Sequence, residues 1–112
     1  MATRGSTWTI AINTTTSDGI DIGVGELRGI ILPSAMTGAS ISFQVSQDDS
    51  TYQALYNSSN SQVSITVSAS RTYSFLQDVR AVLSGWRYIK IVSGSSETAA
   101  RTIKAWMADI ST

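Results

Sequence analysis

Between Ile41 and Tyr56 the chain reads as two alternating runs joined by a polar turn, and this constrains the fold more than any other stretch. Ile41, Phe43 and Val45 alternate with Ser42, Gln44 and Ser46. A period of two is that of a strand with one face in a core and the other in water. The polar run Gln47 to Ser50 interrupts the pattern. Its Asp and Ser side chains hydrogen-bond their own backbone and so favour a tight turn. A second alternating run follows, with Tyr52, Ala54 and Tyr56 on one face and Gln53 and Leu55 on the other. Strand, acidic turn, strand is a β-hairpin.

Further strands lie to either side. Trp8, Ile10 and Ile12 alternate with Thr7, Thr9, Ala11 and Asn13, and Ile20, Ile22 and Val24 alternate with Asp21 and Gly23. Leu27 to Leu32 forms a third run, ended by Pro33, which cannot donate to a ladder. Val63, Ile65 and Val67 share one face, and Tyr73 and Phe75 another. From Trp86 to Val92, Ile89 and Ile91 oppose Trp86, Tyr88 and Lys90. In the closing run Ile103, Ala105 and Met107 oppose Lys104, Trp106 and Ala108. Leu76 to Leu83 alone shows helical spacing, for at most one short helical turn. Eight or nine short strands at even spacing predict an all-β fold, a single antiparallel β-sandwich of jelly-roll type. The small polar residues 1–6 are expected to form a flexible N-terminal arm, and residues 7–112 the β-sandwich domain.

The 112 residues suit one domain with its own core. Ser and Thr exceed a quarter of the chain, which favours strands and turns. There is no cysteine and no histidine, which removes thiolate metal sites, most zinc sites and a Ser-His-Asp triad. Eight basic residues balance eight acidic ones, so no basic stripe speaks for nucleic acid. No stretch reaches the roughly 20 apolar residues of a membrane span. No signal-peptide pattern opens the chain, and synthesis in a cytoplasm is expected.

Three groups of residues are candidates for chemistry. Asp48, Asp49 and Ser50 offer oxygens to a calcium ion but fall short, locally, of the roughly six ligands required, so a plain turn is favoured. Asp18 and Asp21 are a possible carboxylate pair, but their odd spacing turns them to opposite faces of a strand. The aromatics either fill the core or form a contact surface. Trp8, Trp86, Tyr88 and Trp106 are the candidate interface residues, and for Trp86 and Trp106 core and interface stand level. No catalytic residue, metal ligand or cofactor site is assigned.

Two segments carry a resemblance. Phe43-Gln44-Val45-Ser46-Gln47-Asp48-Asp49-Ser50-Thr51-Tyr52-Gln53-Ala54-Leu55-Tyr56 and Gly85-Trp86-Arg87-Tyr88-Ile89-Lys90-Ile91 resemble the discoidin-type, galactose-binding-like jelly rolls, with Asp49 where glycine is usual. The set Leu27-Arg28-Gly29-Ile30-Ile31-Leu32-Pro33, Ser46-Gln47-Asp48 and Gly85 to Lys90 is similar to small proteins encoded among phage and prophage structural genes. The second resemblance implies a virion component rather than an enzyme, with head decoration and tail or fibre attachment as the leading roles; of these a capsid decoration protein on the head surface is expected. The expected partners are the major capsid protein and further copies of itself, closed symmetry favouring a trimer at local threefold positions. Two other roles stay open: a carbohydrate-binding module on a tail fibre, and a tail or head-tail connector component. The module would need an exposed aromatic shelf between the loops Gln47 to Ser50 and Asn57 to Ser61.

Overall fold

The computed structural model describes residues 3–23 and 25–109. These form nine strands and one helix, in two antiparallel sheets. In the four-stranded sheet, β1 (Thr3–Ile10) pairs with β9 (Arg101–Asp109), β9 with β3 (Gly25–Ile31), and β3 with β7 (Thr72–Ser74). In the five-stranded sheet, β2 (Ile20–Asp21) pairs with β8 (Tyr88–Ser93), and β8 with β4 (Ser40–Ser46). The far edge of β4 is shared by β5 (Gln53–Ala54) and β6 (Ser64–Thr66). β5 lies opposite Gln44 and Val45, and β6 opposite Ser40 to Ser42. They are one strand interrupted by an excursion that the Tyr56–Gln62 bridge closes.

Taken in chain order, the path crosses from sheet to sheet at β1–β2, β2–β3, β3–β4, β6–β7, β7–β8 and β8–β9. That is the winding of a jelly roll, with β5 and β6 counted as one strand. The crossings fall at two ends. One end holds the β1–β2, β3–β4, β6–β7 and β8–β9 loops. The other holds β2–β3, the β4–β5 turn and the β7–β8 connection, which contains α1 (Gln77–Leu83).

The alternating residues meet between the sheets. Ile41, Phe43, Val45, Ile89 and Ile91 from one sheet face Trp8, Ile10, Leu27, Ile30, Ile103 and Met107 from the other. Each buried side chain of this size contributes about 1.5–3 kcal/mol relative to exposure. Phe43 and Phe75 meet edge to face at 5.9 Å. Trp8 has no exposed surface, and its indole N–H donates to the Ile89 carbonyl at 2.9 Å. A bond from one sheet to the other satisfies the polar atom that burial would otherwise strand.

Several expectations are corrected here. Trp8 is a core residue, not an interface residue, because it shares the inward face of β1 with Ile10. Residues 3–6 are not a loose arm: Thr3 to Ser6 pair with Ala108 to Ala105. The Arg4 guanidinium, moreover, donates to the Ile22 carbonyl. Met1 and Ala2 lie outside the described residues. β1 ends at Ile10, and Ile12 is exposed, because Asn13 takes a left-handed φ of 65° and Thr14 N–H closes a turn onto Ala11. The second strand stops at Asp21, where Gly23 at φ 62° turns the chain and Gly25 N–H bonds to the Ile22 carbonyl at 3.0 Å. Val24, expected on that strand, lies outside the described residues. The helical stretch is a seven-residue helix rather than a single turn, with Leu83 buried and Val79 and Val82 packed on the core.

Candidate binding surfaces

At the first end the loops converge on one carboxylate. Glu97, in the β8–β9 loop, has no exposed surface. Its Oε1 accepts from Thr37 N–H at 2.8 Å and from Arg101 Nε at 2.9 Å. Its Oε2 accepts from Gly38 N–H at 2.9 Å and from the Ser93 hydroxyl at 2.7 Å. The backbone of Glu97 also bonds the β1–β2 loop, giving its N–H to Thr14 and accepting from Asn13 N–H. A side chain at Gly38 would collide with the Ser93 hydroxyl, so only glycine lets this backbone approach the carboxylate. Burial alone would raise the Glu97 pKa, but the four donors outweigh it and hold it down at about 2. This is a structural tie between three loops. Sequence reasoning passed over Glu97, and the one local signal was its i,i+4 spacing to Arg101.

The carboxylates considered from sequence are each engaged in the fold. Asp18 accepts from Thr9 N–H at 2.9 Å. Asp21 is bidentate to Arg87, 3.2 Å to each of Nε and Nη2, and that pairing lowers its pKa. Asp48 Oδ1 accepts from Ser50 N–H, Thr51 N–H and the Ser46 hydroxyl. The Thr51 and Ser50 amides hold its pKa at about 2. Asp49, in the position where glycine is usual, takes the left-handed φ of 58° and accepts from the Tyr52 hydroxyl. The pair Asp48–Asp49 therefore makes a turn. Among the described residues no group of three or more His, Cys, Asp or Glu side chains is placed to hold a metal ion.

Three candidate interface aromatics remain, in three different places. Trp86 precedes β8 and packs against the edge of the core at the second end. Together with Tyr56, which is 52% exposed, it lines a groove of about 310 Å³. Val45 and Leu55 form the apolar floor, and Gln47 and Gln53 stand on the rim. Gln47 Nε2 donates to the Gly85 carbonyl at 3.0 Å, which fixes the rim to the Trp86 segment. Tyr88 lies half-buried in β8, with the Arg87 guanidinium 5.2 Å from its ring centre. Nearby, Lys90 Nζ sits 4.3 Å from the Tyr52 ring centre. Burial and the Asp49 bond push the Tyr52 hydroxyl above its ordinary pKa.

Trp106 is 48% exposed on the outer face of the four-stranded sheet. Its cross-strand neighbours are Gly5 on β1 and Gly29 on β3. The indole therefore stands as a ridge between two hollows, of about 430 and 390 Å³. Ile31 and Lys104 border the hollow on the Gly5 side. Thr7, Thr9 and Thr102 continue the exposed face.

The fold is similar to that of the SPBc2 prophage-derived protein YomS. The TM-score is 0.56 at 15% identity, over 96% of this chain and 95% of that one. No family model matches the chain, and no curated protein matches its sequence. Similarity from end to end without sequence likeness shows a shared jelly-roll fold. It leaves the surfaces of this chain to be read from their own chemistry. Read so, the groove offers aromatic stacking beside amide hydrogen-bonding groups, and the Trp106 face offers a broad, weakly charged contact area. Among the described residues no helix is long and apolar enough to cross a membrane.

Proposed function

We propose that this protein is a non-enzymatic structural component of a bacteriophage particle, bound to the outside of the head as a decoration protein. The observation that carries the reading is the end-to-end fold similarity to a prophage-derived protein. It is supported by the outer face of the four-stranded sheet, where Trp106 rises among threonines with Lys104 beside it. In this role the sandwich lies across joints between shell subunits and buries Trp106 and its neighbours against the major capsid protein. An aromatic anchor in a desolvated contact contributes strongly to such an interface. Many copies on one shell then resist internal pressure together, without high affinity for each.

The test is copy number, by quantitative mass spectrometry of purified particles against the major shell protein. Decoration predicts a copy number near a simple fraction of the shell count. A handful of copies would move the protein to the tail or the head-tail connector. Absence from the particle would overturn the structural role altogether.

A second reading, a carbohydrate-binding module on a tail fibre, is favoured by a specific observation. The groove of Trp86 and Tyr56 is bordered by Gln47 and Thr51 of the β4–β5 connection, and the polar Asn57 to Ser61 excursion follows directly after Tyr56. An aromatic pair beside exposed amide side chains is the feature that supports this reading.

A further inference from the structure

A sheet edge is a row of unpaired amides and carbonyls, and natural sandwiches keep their edges short or broken. Three edges here follow that rule. β7 has three residues, β2 has two, and the β5–β6 edge is split by its excursion. The fourth edge, β1, runs for eight residues. It carries no proline and no lysine, and its pairing with β9 shows no register shift. Its one charge, Arg4, turns back onto the carbonyls of Asp21 and Ile22.

One residue limits this edge. Thr9 turns its N–H and C=O away from β9 and onto Asp18, at 2.9 Å to the carboxylate and 3.4 Å to the amide. Backbone direction alternates along a strand, so Gly5 and Thr7 turn the same way. There the described residues provide no partner strand. Asp18 therefore closes the edge at Thr9 and leaves Thr3 to Thr7 open, with Gly5 at the midpoint.

We propose that this open edge pairs with β1 of a second copy, antiparallel about a twofold axis at Gly5, to give one continuous sheet through two protomers. In that register Thr3 meets the partner's Thr7, Gly5 meets the partner's Gly5, and Thr7 meets the partner's Thr3. The Asp18 closure disfavours a register centred on Thr7, because it would need the Thr9 groups. The charges are compatible: Arg4 falls opposite the partner's Ser6, and no like charges meet. Side chains on the outer face also agree. A Cβ at Gly5 would lie 3.9 Å from Trp106 Cε3, so the indole already borders this glycine. Pairing brings two such indoles to the two sides of a floor made by Gly5 and the partner's Gly5, a known use of aromatics beside strand glycines. A twofold contact of this kind is closed, so it gives a dimer rather than the threefold assembly expected from sequence. It stands apart from the proposed particle role, and either can fail without the other.

The test is sedimentation velocity on the full chain over a wide concentration range, with hydrogen exchange at low and high concentration. The expected result is a monomer–dimer equilibrium. Protection of the Gly5 and Thr7 amides should rise at least about tenfold as the dimer fills, while Thr9 changes little. Thr7→Pro removes an edge donor that the monomer does not use, and edge strands tolerate proline. It should give a monomer throughout. A monomer at every concentration for the unaltered chain would overturn the proposal. So would a dimer or trimer whose Gly5 and Thr7 amides exchange as in the monomer. The exchange measurement stands even if Thr7→Pro does not fold.

Discussion

The two ends of the sandwich are built from the same kind of polar, loop-rich sequence but reach opposite states. At the Glu97 end, a buried carboxylate takes donors from the β3–β4 loop, from β8 and from β9, and its backbone holds the β1–β2 loop. The loops there bond one another. At the Trp86 end, the β4–β5 turn closes on itself through Asp48, and one exposed bond from Gln47 reaches across to Gly85. A groove is left between aromatics. The difference teaches where this jelly roll can vary. A buried charge ties neighbouring loops to one geometry, whereas self-contained turns leave their rims available for contacts.

The strongest way to break this comparison is Glu97→Gln. The amide keeps the shape, but it sets an NH2 group against N–H donors and removes the charge facing Arg101. Losing one member of a buried ion pair costs about 3 kcal/mol or more. For a domain of this size that lowers Tm by on the order of 15 °C. Gln47→Ala at the other end removes an exposed bond and should cost no more than about 0.5 kcal/mol. Urea and thermal unfolding of both variants measure the contrast. A Glu97→Gln cost near that of Gln47→Ala would show that the two ends are equivalent.

Acid titration sharpens the same point. Glu97 has a folded pKa of about 2 against a reference of 4.5, depressed by its donors. A depressed carboxylate contributes stability that is fully present above the unfolded pKa and is lost as pH falls through the folded one. Stability should therefore drop between pH 4.5 and about 2, by on the order of 3 kcal/mol from this group. Asp48 is shifted in the same direction, but it is solvent-exposed and its contribution is screened. In Glu97→Gln the fall across that window should be shallower by about the Glu97 share. Unfolding free energies at a series of pH values check it. An unchanged acid slope would mean that other carboxylates dominate.

The strand framework was legible because alternation reports burial directly. Ile41, Phe43 and Val45, then Ile89 and Ile91, then Ile103 and Met107, all point inward as their period of two requires. The same rule already grouped Trp8 with Ile10 and set Trp106 against Met107. Placing Trp8 at an interface set that signal aside, and the structure restores it. Residues 3–6 were illegible because Thr-Arg-Gly-Ser shows no apolar alternation. They become a strand through pairing with β9, a contact from the far end of the chain. Glu97 was illegible for a related reason. Its donors come from Thr37, Gly38, Ser93 and Arg101, and the local sequence cannot show that the β3–β4 loop arrives beside it. The Trp86 groove was half legible. The aromatics and polar loops were visible, but Trp86 stands before β8, where strand periodicity no longer says which way a side chain turns.

The smallest expected effect tests the open end itself. Tyr56 is about half exposed and stands on the groove rim, so Tyr56→Ala should change unfolding free energy by less than about 0.5 kcal/mol. Trp86, across the groove, reports on occupancy through its fluorescence. As a head decoration protein the chain should show no saturable change when titrated with neutral sugars, and Tyr56→Ala should behave like the unaltered chain. A saturable change that Tyr56→Ala removes, with stability intact, would put the carbohydrate-binding reading first. It would also make the contrast between the ends functional: one end fixed by a buried carboxylate, so that the other can hold a stacking surface open.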